Sequence, residues 1–297
     1  MKICINGARG WLGRASLNAI FEQFPDISKY DLLLLGRESC ELDINNKIYS
    51  VDQLGSADFL GEADIFIQLA FKTRDFISIL GEQKYRTINQ ELIIKSLNQL
   101  RILKPKKVIL ISSGVVSRYL DSNFQEYTDA YTELKLLEEK MFQEACNEIG
   151  AKLRIIRLWG ATGSDMTEPL KYAIGNLINQ AITTKQIHIN SGNYVYRRYI
   201  DARQLMTLTI KAEFRKDFEV FDSGGILIEM GELAREIFHE LDINEEIIRS
   251  TDQKSLPDLY IPTGNVCEKY ASEISMKLYD LHKQIRLTTE AVMRTLK

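Results

Sequence analysis

The sequence predicts an α/β fold, a doubly wound parallel sheet with a smaller interleaved region behind it, and three observations carry the prediction. Short β-branched or leucine-rich runs recur at Lys2–Asn6, Tyr30–Leu35, Asp64–Ala70, Lys107–Ser112 and Lys152–Leu158. Segments of helical periodicity separate them, and near-continuous apolar strands alternating with helices imply a parallel sheet covered on both faces, because each crossover helix buries its stripe on the sheet. A glycine-rich turn, Gly7-Ala-Arg-Gly-Trp-Leu-Gly13, follows directly on the first run.

Taken in order, the first strand leads through that turn into a helix expected from Trp11 to Phe24. The clearest helix is Asp129–Ile149, with Leu134, Leu137, Met141, Phe142 and Ala145 at helical spacing and Gly150 where a left-handed cap belongs. After Trp159 the segments become less regular, with strand-like runs only at 194–200 and 218–222. The expected division is a sheet domain over 1–163, with 191–225 returning to it, and a second region over 164–190 and 226–297. From Ser255 onward come Pro257, Pro262 and Gly264, then amphipathic helices.

At 297 residues and 45% hydrophobic the chain can bury a full core. Its 38 Lys and Arg nearly balance 41 Asp and Glu, so no long-range positive field favours nucleic acid or an anionic membrane, and the expected partner is a small molecule. Cys4, Cys40, Cys146 and Cys267 lack the close pairs of a zinc or redox motif and read as free thiols of a reducing compartment. No apolar run reaches the ~20 residues of a membrane span, and Met1 runs straight into a strand without room for a leader. A cytoplasmic location is expected. His188, His239 and His282 have no ligand spacing, and no metal is assigned.

The strand–turn–helix context makes Gly7, Gly10 and Gly13 a dinucleotide-binding loop on a Rossmann domain: one glycine for the tight turn, one for close backbone approach to the pyrophosphate, and a helix N-terminus whose dipole favours the anion. Arg9, Trp11 and Leu12 lie within the same stretch and are expected to border the cofactor. Strand two ends in Leu35-Gly36-Arg37 with no acid before Glu38, so Arg37, with Arg9 opposite, suits a 2′-phosphate. NADP is the expected cofactor, with NAD the alternative.

Tyr131 and Lys135, at i and i+4 on the strong helix, project from one face. A phenol of ordinary pKa near ~10 is a poor acid–base at neutral pH, and a neighbouring ammonium lowers it. Ser113 stands at the carboxyl edge of the sheet, where open α/β sheets bind ligands. Tyr131, Lys135 and Ser113 are the expected catalytic set.

These segments, with Arg157-Leu-Trp-Gly-Ala-Thr-Gly and Arg197-Arg-Tyr-Ile-Asp, resemble the extended short-chain dehydrogenase/reductase family over roughly residues 1 to 240. The resemblance implies a nucleotide-sugar enzyme working as a homodimer through two helices per subunit. It implies Ser113 rather than Ser112 as the catalytic hydroxyl and Asn89 as a helix asparagine supporting the lysine side of the site. It also implies Asp43-Ile44 beside the adenine, and Leu69 and Ala70 at the cofactor. Val115, Trp159 and Arg197 are the expected substrate contacts; Arg197 and Arg198 suit a diphosphate or a solvated strand end equally. The chain departs from the family at Gly160, where relatives carry an asparagine. It departs again at Gly114-Val115, where the 4,6-dehydratases have an acidic pair and GDP-fucose synthases an epimerising cysteine, and at Gln68 in place of a histidine. The expected reaction is NADPH-dependent reduction of a keto group on a nucleotide-linked deoxysugar; an epimerase is the alternative, and a non-catalytic NADP-binding sensor is the reading from a different class.

Overall fold

The computed structural model describes residues 1–23, 30–56, 61–121, 128–250, 256–262 and 264–297. In chain order the elements begin β1 (Lys2–Asn6), α1 (Trp11–Gln23), β2 (Asp31–Gly36), β3 (Cys40–Ile44), β4 (Lys47–Gln53), β5 (Ile65–Gln68), α2 (Phe76–Leu80) and α3 (Glu82–Leu103). They continue with β6 (Lys107–Ser113), α4 (Gly114–Leu120), α5 (Ala130–Ile149), β7 (Lys152–Leu158), β8 (Ala161–Thr162), α6 (Ala173–Thr184), β9 (Ile187–Ile189) and β10 (Val195–Asp201). The last are α7 (Ala202–Lys211), β11 (Phe218–Asp222), β12 (Ile226–Glu229), α8 (Met230–Glu240), β13 (Ile247–Arg249), β14 (Asp258–Tyr260), α9 (Val266–Glu273) and α10 (Leu281–Thr295). Phe24, expected to end the first helix, and Ser255 lie outside the described residues.

The chain divides into two compact units, Met1–Leu158 with Thr209–Phe221, and Trp159–Leu208 with Asp222–Lys297. The return to the first unit is therefore shorter than the expected 191–225. The reason is pairing: β10 joins β12, β14 and β8 in a separate sheet, leaving only β11 for the first.

The first unit is an eight-stranded sheet in the order β11-β7-β6-β5-β1-β2-β4-β3. Its β4-β2-β1-β5-β6-β7 core is parallel, which is the 3-2-1-4-5-6 order of the dinucleotide-binding fold. One face carries α3 and α5, whose Ile93, Leu97, Leu100, Phe142 and Ala145 pack on Cys4, Phe66, Val108, Leu110 and Leu153. Helix α5 starts at Asp129, which accepts from the Thr132 amide at 2.9 Å, and ends at Gly150 with φ 72°, as its sequence predicted.

The β3–β4 hairpin is absent from the sequence reading and forces a correction. Strand β3 runs antiparallel to β4, turning through Asn45 and Asn46, both at positive φ. Asp43 and Ile44 therefore pair with Ile48 and Lys47 at the start of β4, whereas Gln53 at its end pairs with Gly36. Five residues of strand, ~16 Å, separate Ile48 from that carboxyl end. Asp43 and Ile44 therefore lie at the opposite end of β4 from the glycine turn's edge of the sheet, the end that Asp52 and Gln53 occupy.

Arg154 on β7 is fully buried and closes the unit. Its guanidinium pairs with Glu219 of β11 at 2.9 Å and donates to the carbonyls of Thr209, Ala212 and Glu213. One cation thereby takes three backbone carbonyls of the returning segment.

In the second unit, α6, α8 and α10 bury Ile174, Leu177, Ile178, Leu233, Ala234, Ile237, Ile285 and Val292 against Ile187, Ile189 and Tyr199. All four cysteines are unpaired thiols, and burial pushes Cys146 and Cys267 up to about 12. Among the described residues no helix is long and apolar enough to cross a membrane.

Candidate active site

The glycine turn sits at the carboxyl end of β1. The amides of Gly7 and Ala8 both donate to the Leu35 carbonyl, at 2.9 and 3.1 Å, and tie the turn to β2. Gly7 has φ +94°, and a Cβ there would stand 2.8 Å from the Ala70 nitrogen and 2.9 Å from the Leu69 carbonyl carbon. A Cβ at Gly13 would stand 2.4 Å from the Gly7 oxygen, whereas one at exposed Gly10 meets only that oxygen, at 3.4 Å. Two glycines are thus demanded by the protein's own packing. The third leaves a bare backbone surface at the start of α1, and these residues fit a pyrophosphate. Trp11 is buried and Leu12 half-buried at the same helix start. Arg9 arches over the end of β2, its Cδ 3.7 Å from where a Gly36 Cβ would be. The next residue, Arg37, is 67% exposed and pairs with Glu38 at 3.1 Å, a surface contact of about 1 kcal/mol or less that leaves the guanidinium available.

Lys135 lies on the buried side of α5, 5% exposed, and its Nζ donates to the Ile111 carbonyl of β6 at 3.2 Å. Two residues on, Ser113 ends β6 and caps α4, its Oγ 3.5 Å from the Val115 amide. Ser112, by contrast, donates to Glu139 at 2.5 Å, and Glu139 also holds Arg157 through both oxygens. Its hydroxyl is committed to structure. Tyr131, half-buried one turn before Lys135, meets the Phe71 ring edge-on at 5.8 Å, with Arg74 at 5.3 Å from its own ring centroid. The same Phe71 lies 3.9 Å beneath the Lys135 ammonium, so one ring touches both members of the pair.

Asn89 does not reach the lysine. Its Oδ1 accepts from the Lys72 amide at 2.8 Å, and its Nδ2 donates to the Lys72 and Tyr85 carbonyls. Together with the Tyr85 hydroxyl on the Lys72 carbonyl, it fixes the loop that carries Phe71. It is a positioning residue, and its expected place among the catalytic groups is corrected accordingly.

The sequence reading missed Glu138. Its Oε2 lies 2.9 Å from Lys135 Nζ, and the two side chains are 1% and 6% exposed. Burial raises the Glu138 pKa above the ordinary carboxylate range, against the pull of Lys135. Its other oxygen accepts from Gln68 Nε2 at 3.1 Å, and Gln68 Oε1 accepts from Asn6, which also donates to Ser96. A buried polar chain thus runs from β1 through β5 to the lysine. The available signal was paired: an acid one turn after Lys135 on its buried face, and the exchange of histidine for glutamine at 68.

Trp159 and Arg197 belong to the second unit. Trp159 meets the Tyr260 ring at 4.6 Å with a 50° tilt and donates from Nε1 to Asp222, and Arg197 pairs with Asp258 at 2.6 Å. Arg198 donates to the Gly225 carbonyl. A Cβ on Gly160 would stand 2.4 Å from the Arg198 oxygen, so this backbone leaves no room for the asparagine of the family pattern.

Comparison with known proteins places the architecture first in the dinucleotide-binding α/β class. No protein-family model and no curated protein matches the chain; solved structures do. It is similar to a UDP-N-acetylglucosamine 4-epimerase from Methanobrevibacter ruminantium M1 in complex with UDP-N-acetylmuramic acid, with TM-score 0.75 and 17% identity over 99% of this chain and 98% of that one. It is similar to a UDP-glucose 4-epimerase from Thermotoga maritima with UDP-glucose, with TM-score 0.73 and 15% identity over the whole of both chains. It is also similar to RMD from Pseudomonas aeruginosa complexed with NADPH, with TM-score 0.73 and 14% identity over 99% of each. The chain shares the fold of these two UDP-sugar epimerases and of that NADPH-complexed protein.

Proposed function

We propose that this protein is an NADP-dependent oxidoreductase acting on a nucleotide-linked sugar, and that its reaction is reduction of a keto group. The observation that carries the proposal is the docking of α5 on β6: the Lys135 bond to Ile111 sets the Tyr131–Lys135 face beside the strand that ends in Ser113. Gly7, Arg9, Gly10, Trp11, Leu12 and Gly13 would hold the dinucleotide with Leu69, Ala70 and Lys135, and Arg9 and Arg37 would hold its 2′-phosphate. When bound, the cofactor supplies the hydride. Tyr131 gives its phenolic proton to the substrate's keto oxygen, and Ser113 donates a hydrogen bond to the charge developing there. Lys135 favours the resulting phenolate. Val115, Trp159 and Arg197 are the proposed substrate contacts. Ile94 and Ile102 on α3, with Leu137 on α5, are large exposed apolar residues that support a homodimer through these helices.

Parallel titrations with NADPH and NADH, repeated on Arg37→Ala, test the cofactor. Tighter NADPH binding that weakens selectively in the variant is expected; NADH preference indifferent to Arg37 would overturn it. Tyr131→Phe should retain cofactor affinity and lose most turnover of a keto-sugar nucleotide. The epimerase reading is favoured by the two epimerases of like fold. Conversion of an intact sugar nucleotide to its 4-epimer, with no net NADPH oxidation, would replace the reductase with it.

A further inference from the structure

Two of the three histidines, far apart in sequence and read there as unrelated, meet in the second unit. Glu236 and His239 stand at i and i+3 on α8 and share a face; His282 is the second residue of α10. One ligand atom from each of Glu236, His239 and His282 lies within 4.8 Å of the others. His282 Nε2 is 3.5 Å from Glu236 Oε2, and the two histidine rings are 5.6 Å apart. Zinc bonds of ~2.0–2.2 Å in a tetrahedral array put neighbouring donor atoms about 3.3 Å apart. The set closes with small side-chain rotations.

An independent observation points to a ligand at the same place. His282 Nδ1 lies 3.1 Å from Glu240 Oε2, and the other Glu240 oxygen takes Arg286 at 2.8 Å. A carboxylate on one ring nitrogen fixes the tautomer and leaves the opposite nitrogen's lone pair facing outward, the arrangement found behind metal-bound histidines. Here that outward nitrogen is Nε2, and it faces Glu236. Two imidazoles and one carboxylate suit a borderline ion better than magnesium or calcium, which prefer oxygen throughout.

We propose that Glu236, His239 and His282 bind a zinc ion, with water completing its coordination and Glu240 orienting His282. The ion bridges α8 and the first turn of α10, whose Leu233, Ala234, Ile237, Ile285 and Val292 share one core. It staples the C-terminal helix to the second unit. None of these residues is in the proposed cofactor or catalytic set.

The test is calorimetric titration of the full, chelator-stripped chain with zinc chloride at neutral pH, with cobalt absorption reporting coordination. One ion per chain is expected, with a rise in Tm. His239→Ala and His282→Ala should each weaken binding at least tenfold and abolish the Tm rise, and Glu240→Gln should weaken it about tenfold. His282 is 41% exposed, so the variants are expected to keep the parent's circular dichroism and NADPH affinity. No zinc binding, or binding unchanged in the His239→Ala/His282→Ala double variant, overturns the proposal; the second outcome places the ion elsewhere in the chain.

Discussion

Glu138→Gln separates the charge beside Lys135 from the space it fills. The parent carboxylate stands 2.9 Å from the ammonium in a site closed to water. Truncating one partner of such a pair costs about 3–5 kcal/mol. The glutamine carbonyl still accepts from Lys135, so the expected loss lies near 3 kcal/mol, read as a lower urea midpoint. The effect on chemistry is indirect. Tyr131 and Glu138 are two helical turns apart on one stripe of α5, about 10 Å along its axis at ~1.5 Å per residue, so Glu138 acts on the phenol's surroundings through Lys135.

Glu138→Gln weakens the hold on Lys135 Nζ, which that carboxylate and the Ile111 carbonyl share, so the ammonium beside Tyr131 loses its fixed position and turnover should fall. The assay is NADPH oxidation by a keto-sugar nucleotide, with unfolding followed in parallel. Parent-like turnover and a parent-like urea midpoint, with Tyr131→Phe inactive, would refute the reasoning and reduce Glu138 to packing.

Glu219→Gln leaves the Arg154 guanidinium buried without its carboxylate and should cost about 3–5 kcal/mol in urea unfolding; a loss under about 1 kcal/mol would mean the carbonyls suffice. Burial raises Asp201 to about 6. The folded state therefore binds this proton more tightly than the unfolded chain does, so the group's contribution is favourable at acid pH and is lost as pH rises from about 4 to 6, by about 3 kcal/mol. Asp201→Asn, which still accepts from the Gln204 amide, should remove that decline; an unchanged pH dependence of the urea midpoint would contradict the shift. Gly10→Ala should keep the parent Tm and weaken NADPH binding, because its Cβ meets only a 3.4 Å contact within the chain, whereas Gly13→Ala, at 2.4 Å, should lower both. Equal effects of the two on Tm would undo this division of roles.

The parallel core was legible because buried strands on both faces read as unbroken apolar runs, as β1, β2, β5, β6 and β7 do. The edge hairpin was not, since β3 and β4 expose every other residue or more, and Cys-Glu-Leu-Asp-Ile reads as loop. Missing it misplaced Asp43 and Ile44, because an antiparallel strand reverses which of its ends reaches the carboxyl edge. The glycine turn and the Tyr131–Lys135 pair were legible as local spacings. Arg154 and Glu138 were not, since a charge in a strand or on a helix reads as solvated until its partners are known, and those of Arg154 lie 55 to 65 residues away.

The glutamine at 68 and the glutamate at 138 explain each other. Gln68 spends both amide hydrogens, on the Ala70 carbonyl and on Glu138, and its oxygen accepts from Asn6. A neutral histidine offers one donor and one acceptor and cannot make all three bonds. With histidine at 68, one buried partner, either Glu138 or the Ala70 carbonyl that borders the glycine turn, would lose its donor, at about 1–3 kcal/mol. The departure at 68 is therefore the acceptor and donor set that a buried carboxylate beside Lys135 requires. The two substitutions should be tolerated together, as Gln68→His with Glu138→Leu, better than Gln68→His alone.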